Sequence, residues 1–154
     1  MGRLGLRQSV HPLPAVAEDD IHSPRALGET AAAISTRLVQ LHRRYYGRGP
    51  TKAKTYFVND TVVCILEGGF TTVERTLIDF GNSDAVYSIR RSFQHAMGEQ
   101  FTGVVREATG RDVIAYMSQV HEDPDLAVEI FMLEPSQEPL VDEYTELLSD
   151  DPAP

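Results

Sequence analysis

The feature that most constrains this chain is the run Lys54-Thr55-Tyr56-Phe57-Val58, Asn59-Asp60, Thr61-Val62-Val63-Cys64-Ile65-Leu66. Two stretches rich in β-branched and aromatic residues flank a two-residue Asn-Asp turn. Asn and Asp tolerate the positive φ that a type I′ turn requires, so the segment predicts a β-hairpin. Residues 113–119 and 126–133 form a second pair of such runs. They are separated by Val120-His121-Glu122-Asp123-Pro124-Asp125, a stretch of turn formers, and predict a second hairpin.

Around the hairpins the apolar spacing changes to three and four. Ala31, Ile34, Leu38, Leu41 and Tyr45 make one stripe of a helix that is expected to begin near Gly28-Glu29. Gly47 is placed as its C-terminal cap, Arg43 and Arg44 complement the dipole in its last turn, and Pro50 forbids continuation. Gly68-Gly69 breaks the strand that follows. Thr71-Thr72-Val73-Glu74 then fits a capping box opening a short helix to about Phe80. Gly81-Asn82 interrupts it, and Ser83 or Asn82 caps a longer helix with Val86, Ile89, Phe93, Met97, Phe101, Val104 and Ala108 on one face. Gly110 ends that helix. The order α-ββ-α(α)-ββ predicts an α+β fold, a four-stranded, mainly antiparallel sheet with helices packed on one face. The strands are apolar on both sides, Tyr56 and Val58 against Phe57, and Leu126, Val128, Ile130 and Met132 against Phe131 and Leu133. A sheet covered on one side only alternates more cleanly, so the second face is expected to be hidden by another copy in a homo-oligomer.

A length of 154 residues favours one domain, and 42% apolar and 24% charged residues are ordinary globular values. That domain is expected over residues 28–134. Residues 1–27, with Pro12, Pro14, Pro24 and the cluster Glu18-Asp19-Asp20, predict a disordered N-terminal arm. Residues 135–154 predict an acidic disordered tail. Inside it, residues 140–148 could form an amphipathic helix on a partner, although alone they are too short to be stable. The net charge is −9, and seven acidic residues with no basic ones lie from Glu134 to the end. From Ala26 to Leu133 there are 13 acidic and 11 basic residues, a net of −2, so the overall charge says little about what the folded part binds. No apolar run approaches the ~18–20 residues that span a bilayer. Met1 to Arg7 lacks the apolar region of a signal peptide, and Gly2 lacks the context for myristoylation. A cytoplasmic location is expected. Cys64, the only cysteine, lies in an apolar run and is expected to be a small core hydrophobe rather than a reactive thiolate.

Two segments could carry binding chemistry. Tyr45-Tyr46-Gly47-Arg48-Gly49-Pro50-Thr51-Lys52-Ala53-Lys54 places three cations and two glycines between helix and hairpin, where glycine permits close backbone approach and the cations suit an anion. Its ordinary reading is a helix cap and a solvated turn, and it lacks the spacing of a phosphate-binding Walker loop. Glu67-Gly68-Gly69-Phe70-Thr71-Thr72 leads into a capped helix N-terminus, where free N–H groups and the dipole attract anions, with plain capping as the alternative. A hairpin sets the start of one strand beside the end of its partner. Tyr46, Arg48, Gly49, Lys52, Lys54, Gly68, Gly69 and Thr71 are therefore expected to share one pocket for a small anion. The loop His121-Glu122-Asp123-Pro124-Asp125 has neither an EF-hand pattern nor the ligand spacing of a zinc site. His42 and His95 have no second histidine four residues on, and no nucleophile–base set or carboxylate pair stands out. No metal, cofactor or enzymatic activity is expected. Arg37, Arg44 and Arg48 are spaced to share a helix face, Arg90, Arg91 and Arg106 add charge, and Tyr45, Tyr46 and Tyr56 could stack on bases. The folded part nevertheless lacks the clustered excess charge of a nucleic-acid footprint. A nucleotide- or nucleic-acid-binding regulator is the alternative class.

The run from Leu41 through Arg43-Arg44-Tyr45-Tyr46-Gly47-Arg48-Gly49-Pro50-Thr51-Lys52-Ala53-Lys54 resembles the signature of the MpsC-like family of small bacterial domains. Leu66-Glu67-Gly68-Gly69, Thr72-Val73-Glu74-Arg75-Thr76-Leu77 and Val120-His121-Glu122-Asp123-Pro124-Asp125-Leu126-Ala127-Val128-Glu129-Ile130-Phe131 fit the same pattern. The resemblance covers roughly residues 29–134. It implies a component of a sodium-translocating, membrane-potential-generating system, an accessory or regulatory domain associated with membrane proteins of cation or bicarbonate uptake. It implies a membrane transport protein as a partner and a position at the inner face of the membrane. It brings no catalytic residues, and it favours the segments around Arg48 and Gly68 as functional.

Overall fold

A computed structural model of the chain describes residues 23–137 and 140–141. The arm up to residue 22, most of the acidic tail and most of the stretch 140–148 lie outside the described residues. The Asn-Asp pair does close a hairpin. Strands β1 (Lys52–Asn59) and β2 (Thr61–Glu67) run antiparallel, with Lys52 opposite Glu67 and Val58 opposite Thr61. Asn59 has φ +52 and is the one described non-glycine residue with positive φ, so the turn departs from type I′, which needs it at both central residues.

Three helices connect and cover the strands. Helix α1 (Pro24–Tyr46) starts inside the stretch expected to be a loose arm. Ser23 accepts a hydrogen bond from the N–H of Ala26 through its hydroxyl, and Pro24 occupies the first turn, where its missing N–H costs nothing. The same two residue types mark loops, hence the late start expected from the periodicity. Gly47 ends α1 in the left-handed conformation at φ +77. Helix α2 (Thr72–Asp79) opens with both bonds of the capping box between Thr71 and Glu74. Helix α3 (Ser83–Thr109) closes at Gly110.

Strands β3 (Val113–His121) and β4 (Leu126–Leu133) form the second hairpin, and β2 pairs antiparallel with β4 to fuse the two. The fold is thus α+β with a four-stranded antiparallel sheet. The tail adds one short element, β5 (Leu140–Val141), beside Val58 and Asn59, giving the order β3-β4-β2-β1-β5. This corrects the expectation of a wholly disordered tail, and an amphipathic helix cannot begin at Leu140. The β1 edge offers open backbone groups that an extended segment satisfies.

Phe57, Val62, Cys64, Leu66, Phe131 and Leu133 point to one side of the sheet and pack with Ile34 and Leu38 of α1 and Phe101, Val104 and Val105 of α3. Burial pushes the Cys64 thiol up to about 11, as expected for a core thiol. Phe70, Val86 and Val120 make a smaller cluster at the other end. On the opposite side of the sheet the register aligns three rows across β1, β2, β4 and β3, namely Val58-Thr61-Met132-Ala115, Tyr56-Val63-Ile130-Met117 and Lys54-Ile65-Val128-Gln119. None of these residues is buried, and Met117 is half exposed.

Candidate functional site

The stripe of α3 holds one residue that sequence periodicity misplaces. From Val86 the inward position four residues on is Arg90. Ile89, chosen because it is apolar, lies 47% exposed. The Arg90 guanidinium donates from Nε and Nη2 to the two carboxylate oxygens of Glu74, the Nη2 bond at 2.7 Å, and from Nη2 to the carbonyl of Gly69 at 2.9 Å. It is stacked between Tyr46, 4.3 Å from the ring centre, and Phe70, 5.2 Å away. A buried charge of this kind persists because its donors are met by a carboxylate, a carbonyl and two ring faces. Burial raises the Glu74 carboxyl, but the Arg90 guanidinium and the Thr71 N–H outweigh it and hold the group below the usual carboxylate range. Burial pushes the Tyr46 phenol up to about 12 against the pull of Arg90.

A second buried polar group adjoins the first. Tyr46 stacks on His42, and His42 packs on Phe101. The His42 Nδ1 lies 2.8 Å from the carbonyl of Leu38, an acceptor that requires the proton on that nitrogen. Nε2 is 3.6 Å from Glu129, whose other oxygen accepts from the Tyr116 hydroxyl at 2.6 Å. Burial, then the Glu129 charge, raises the Tyr116 phenol. The interior therefore holds a line of polar groups, Glu74, Arg90, Tyr46, His42, Glu129 and Tyr116, running from the start of α2 to strand β3. Along α1 it is His42 that turns inward, whereas Tyr45 of the expected stripe is exposed.

The two segments expected to share an anion pocket do meet. The Thr51 N–H donates to the Glu67 carbonyl at 2.8 Å. Gly68 has φ +69, and a Cβ there would stand 2.5 Å from Thr51 Oγ1. The anion-binding donors, however, hold a carboxylate of the chain itself. Asp125, from the β3–β4 loop, accepts the Gly69 N–H at 3.2 Å, the Phe70 N–H at 3.1 Å and the Arg75 guanidinium at 3.0 Å. Its own carbonyl accepts the Gly68 N–H. Beside this nest lies an open cleft of about 360 Å³ lined by Arg48, Phe70, Thr71, Thr72, Arg75 and Asp125 among others. Arg48 is exposed there, in the connection after α1 rather than on its face.

Of the eight residues expected to share the pocket, Arg48, Gly68, Gly69 and Thr71 gather at this nest and cleft. The other four do not. Lys52 pairs with Glu67 at 3.4 Å on the surface, and Lys54 stands over the Tyr56 ring on the open side of the sheet. Tyr46 is committed to Arg90. Gly49 is a packing glycine, since a Cβ would stand 3.0 Å from the Val39 carbonyl. Asp125, Arg75, Arg90, Glu74, His42 and Glu129 were not among the residues expected at the pocket. Only Glu74 carried a usable signal, its place in the capping box.

The remaining cations are mostly engaged. Arg37 pairs with Glu107 at 2.5 Å, Arg106 with Asp112 at 3.6 Å, and Arg44 lies over Tyr45. The His121 ring nitrogen lies 2.9 Å from the Pro124 carbonyl within its own loop. Among the described residues no helix is long and apolar enough to cross a membrane. The family model described as MpsC, Na+-translocating membrane potential-generating system, matches residues 26–135. No curated protein and no solved structure matches the chain.

Proposed function

The chain belongs to the MpsC family, and from that membership we propose that it is a non-catalytic accessory or regulatory domain of a membrane cation or bicarbonate transport system. In this role it responds to a small oxyanion. The observation that carries the proposal is the nest, in which two backbone N–H groups and the Arg75 guanidinium converge on one planar carboxylate. Donors arranged for a carboxylate suit bicarbonate or another small oxyanion equally. Asp125 is then the resident occupant, and the exposed Arg48 on the same cleft supplies the charge that draws in a competitor. Displacing the Asp125 carboxylate would leave the β3–β4 loop tied to the turn before α2 by the backbone bond from Gly68 alone, and so turn an anion concentration into a change of surface for a partner.

Titration of the ¹⁵N-labelled chain with bicarbonate and with phosphate tests this. Saturable shifts are expected at Gly69, Phe70 and Arg75, stronger in Asp125→Ala, weaker in Arg48→Ala and unchanged in Lys52→Ala. Absence of saturable shifts in both the wild type and Asp125→Ala would refute the anion site. Capture from the native host tests the association, with a membrane transporter expected among the recovered proteins and recovery of nucleic acid favouring the alternative class.

A further inference from the structure

We propose that the carboxylate held in the nest is a stopper between solvent and the buried His42–Glu129 pair, so that occupancy of the nest governs proton access to the interior. The inference rests on reading the nest as an oxyanion site, and it names how that site acts on the core. Next to the open cleft lies a second, narrow cavity of about 10 Å³, room for about one water molecule. His42, Arg90, Gly69 and Asp125 supply its polar lining. Its apolar lining includes Leu66, Ala127 and Val120, which stand in one row across β2, β4 and β3. Cleft and cavity share two wall residues, Phe70 and Asp125. On this side, one ring and one carboxylate stand between solvent and His42.

Only one wall is built to move. Phe70 is 3% exposed and lies against both Arg75 and Arg90. The cavity also adjoins a cleft between α3 and β3, with which it shares Arg90 and Val120. Arg90 is fixed by Glu74 and the Gly69 carbonyl, and Val120 is paired with Ala127 in the sheet. Asp125 is held differently. Its carbonyl keeps the loop on the Gly68 N–H, while its carboxylate depends on the Gly69 and Phe70 N–H groups and on Arg75. The side chain can thus leave with its backbone in place. A planar oxyanion on the same donors refills the gap, and between the two occupants the nest is empty and the cavity open.

Across the cavity, His42 meets Tyr46 and the Leu38 carbonyl from α1, Phe101 from α3 and Glu129 from β4. Arg90 and Asp125 are the charged groups on the cavity itself, and Glu74 of α2 is bonded to Arg90. Tyr116 of β3 donates to Glu129, and Cys64 of β2 stands opposite Glu129 in the sheet. With the Nδ1 proton donated to Leu38, Nε2 is the nitrogen that can take a proton from water or a buffer acid, and Glu129 is the counter-ion 3.6 Å away. Loss of either ring proton to water then completes an exchange. An empty nest admits that proton, and a filled nest withholds it.

Exchange of the His42 ring N–H with water, followed by NMR of the ¹⁵N-labelled full chain at constant pH, is the test. In the wild type it should be slower than at the exposed His95 by about tenfold or more. Asp125→Ala should raise the His42 rate by about tenfold or more. The backbone amides of Val62 and Cys64, both fully buried, should change by less than about twofold, as proof that the fold has not opened. Bicarbonate added to Asp125→Ala should restore slow exchange by acting as a replacement stopper. A His42 rate that is unchanged in Asp125→Ala, that matches His95 in the wild type, or that rises only together with the strand amides would overturn the proposal. Acceleration in Asp125→Ala that bicarbonate does not reverse would support the stopper and overturn the anion reading instead.

Discussion

Arg90→Met separates a structural ion pair from an incidental one. Methionine keeps much of the length of the side chain while deleting its charge and its donors. Arg90 and Glu74 are each 4% exposed, so the carboxylate left behind cannot turn to water and keeps only its bond from the Thr71 N–H. The Gly69 carbonyl also loses its side-chain donor. Breaking a buried pair by removing one partner costs about 3–5 kcal/mol, and a thioether between the Tyr46 and Phe70 rings offsets about 1 kcal/mol. The expected loss is about 3 kcal/mol, read as a shift of the urea midpoint by circular dichroism, or about 10 °C in Tm for a chain of this size.

The pH dependence gives the sharper reading. In the wild type the Glu74 carboxyl is held below its ordinary value of 4.5. Its contribution is therefore fully present above that value and is lost as pH falls through the lower folded value. In Arg90→Met burial is no longer outweighed, the folded value rises above the ordinary one, and the group costs stability as pH increases through that range. The difference between the two proteins should thus shrink in acid and widen toward neutrality. Glu74→Gln in the Arg90→Met background should recover part of the loss, because it removes the stranded charge. A loss under about 1 kcal/mol, or a difference that stays flat from about pH 3 to pH 7, would refute the reasoning.

Two further substitutions test the packing around the site. Gly68→Ala should cost about 1–3 kcal/mol by urea denaturation, since the residue holds φ +69 and its Cβ would stand 2.5 Å from Thr51 Oγ1. Ser35 and Thr55 share a buried hydroxyl bond of 2.8 Å between α1 and β1, Ser35 also donates to the Ala31 carbonyl at 3.0 Å, and both hydroxyls lie against the Cys64 thiol. Ser35→Ala should cost about 1 kcal/mol by leaving the Thr55 hydroxyl with only the weak Cys64 thiol as a partner, and Thr55→Val added to it should restore part of that.

What could be read from the sequence divides along a physical line. Caps, turns and apolar periods act over a few residues, so the hairpin at Asn59, the glycine caps at Gly47 and Gly110 and the box at Thr71 were all visible in local spelling. The four-stranded antiparallel sheet followed from two hairpins, whereas its order, with β2 beside β4, joins residues too far apart in the chain for local spelling to show. The polar core was hidden for two reasons. Its partners lie far apart in the chain, Arg90 16 residues from Glu74 and Asp125 56 from Gly69. Pattern reading also assigns charged residues to the surface, which sends Arg90 outward and Ile89 inward. Only position settles it, since 90 is four residues beyond the buried Val86. Asp125 was hidden by its company, because a loop of turn formers looks solvated whether or not one carboxylate reaches back. Lys52 and Lys54 were misplaced by the same economy. The register that brings their strand to Gly68 also points alternate residues to the far face of the sheet, away from the turn.

Gly69 shows how these groups work together. Its carbonyl accepts from Arg90, and its N–H donates to Asp125. One peptide turn is thus held on one side by a buried cation and on the other by a partly exposed anion. The two restraints differ in kind. The Arg90 bond belongs to a network with Glu74, Tyr46 and Phe70 in which Arg90 and Glu74 are each 4% exposed, whereas the Asp125 carboxylate borders the open cleft with Arg48 and Arg75. Losing the anionic partner would therefore leave the turn and the start of α2 in place, with the β3–β4 loop held to the turn by the Gly68 N–H and the Asp125 carbonyl but no longer by its carboxylate. The buried pair holds the donors fixed, and that fixity allows the carboxylate opposite to be exchanged without unfolding the domain.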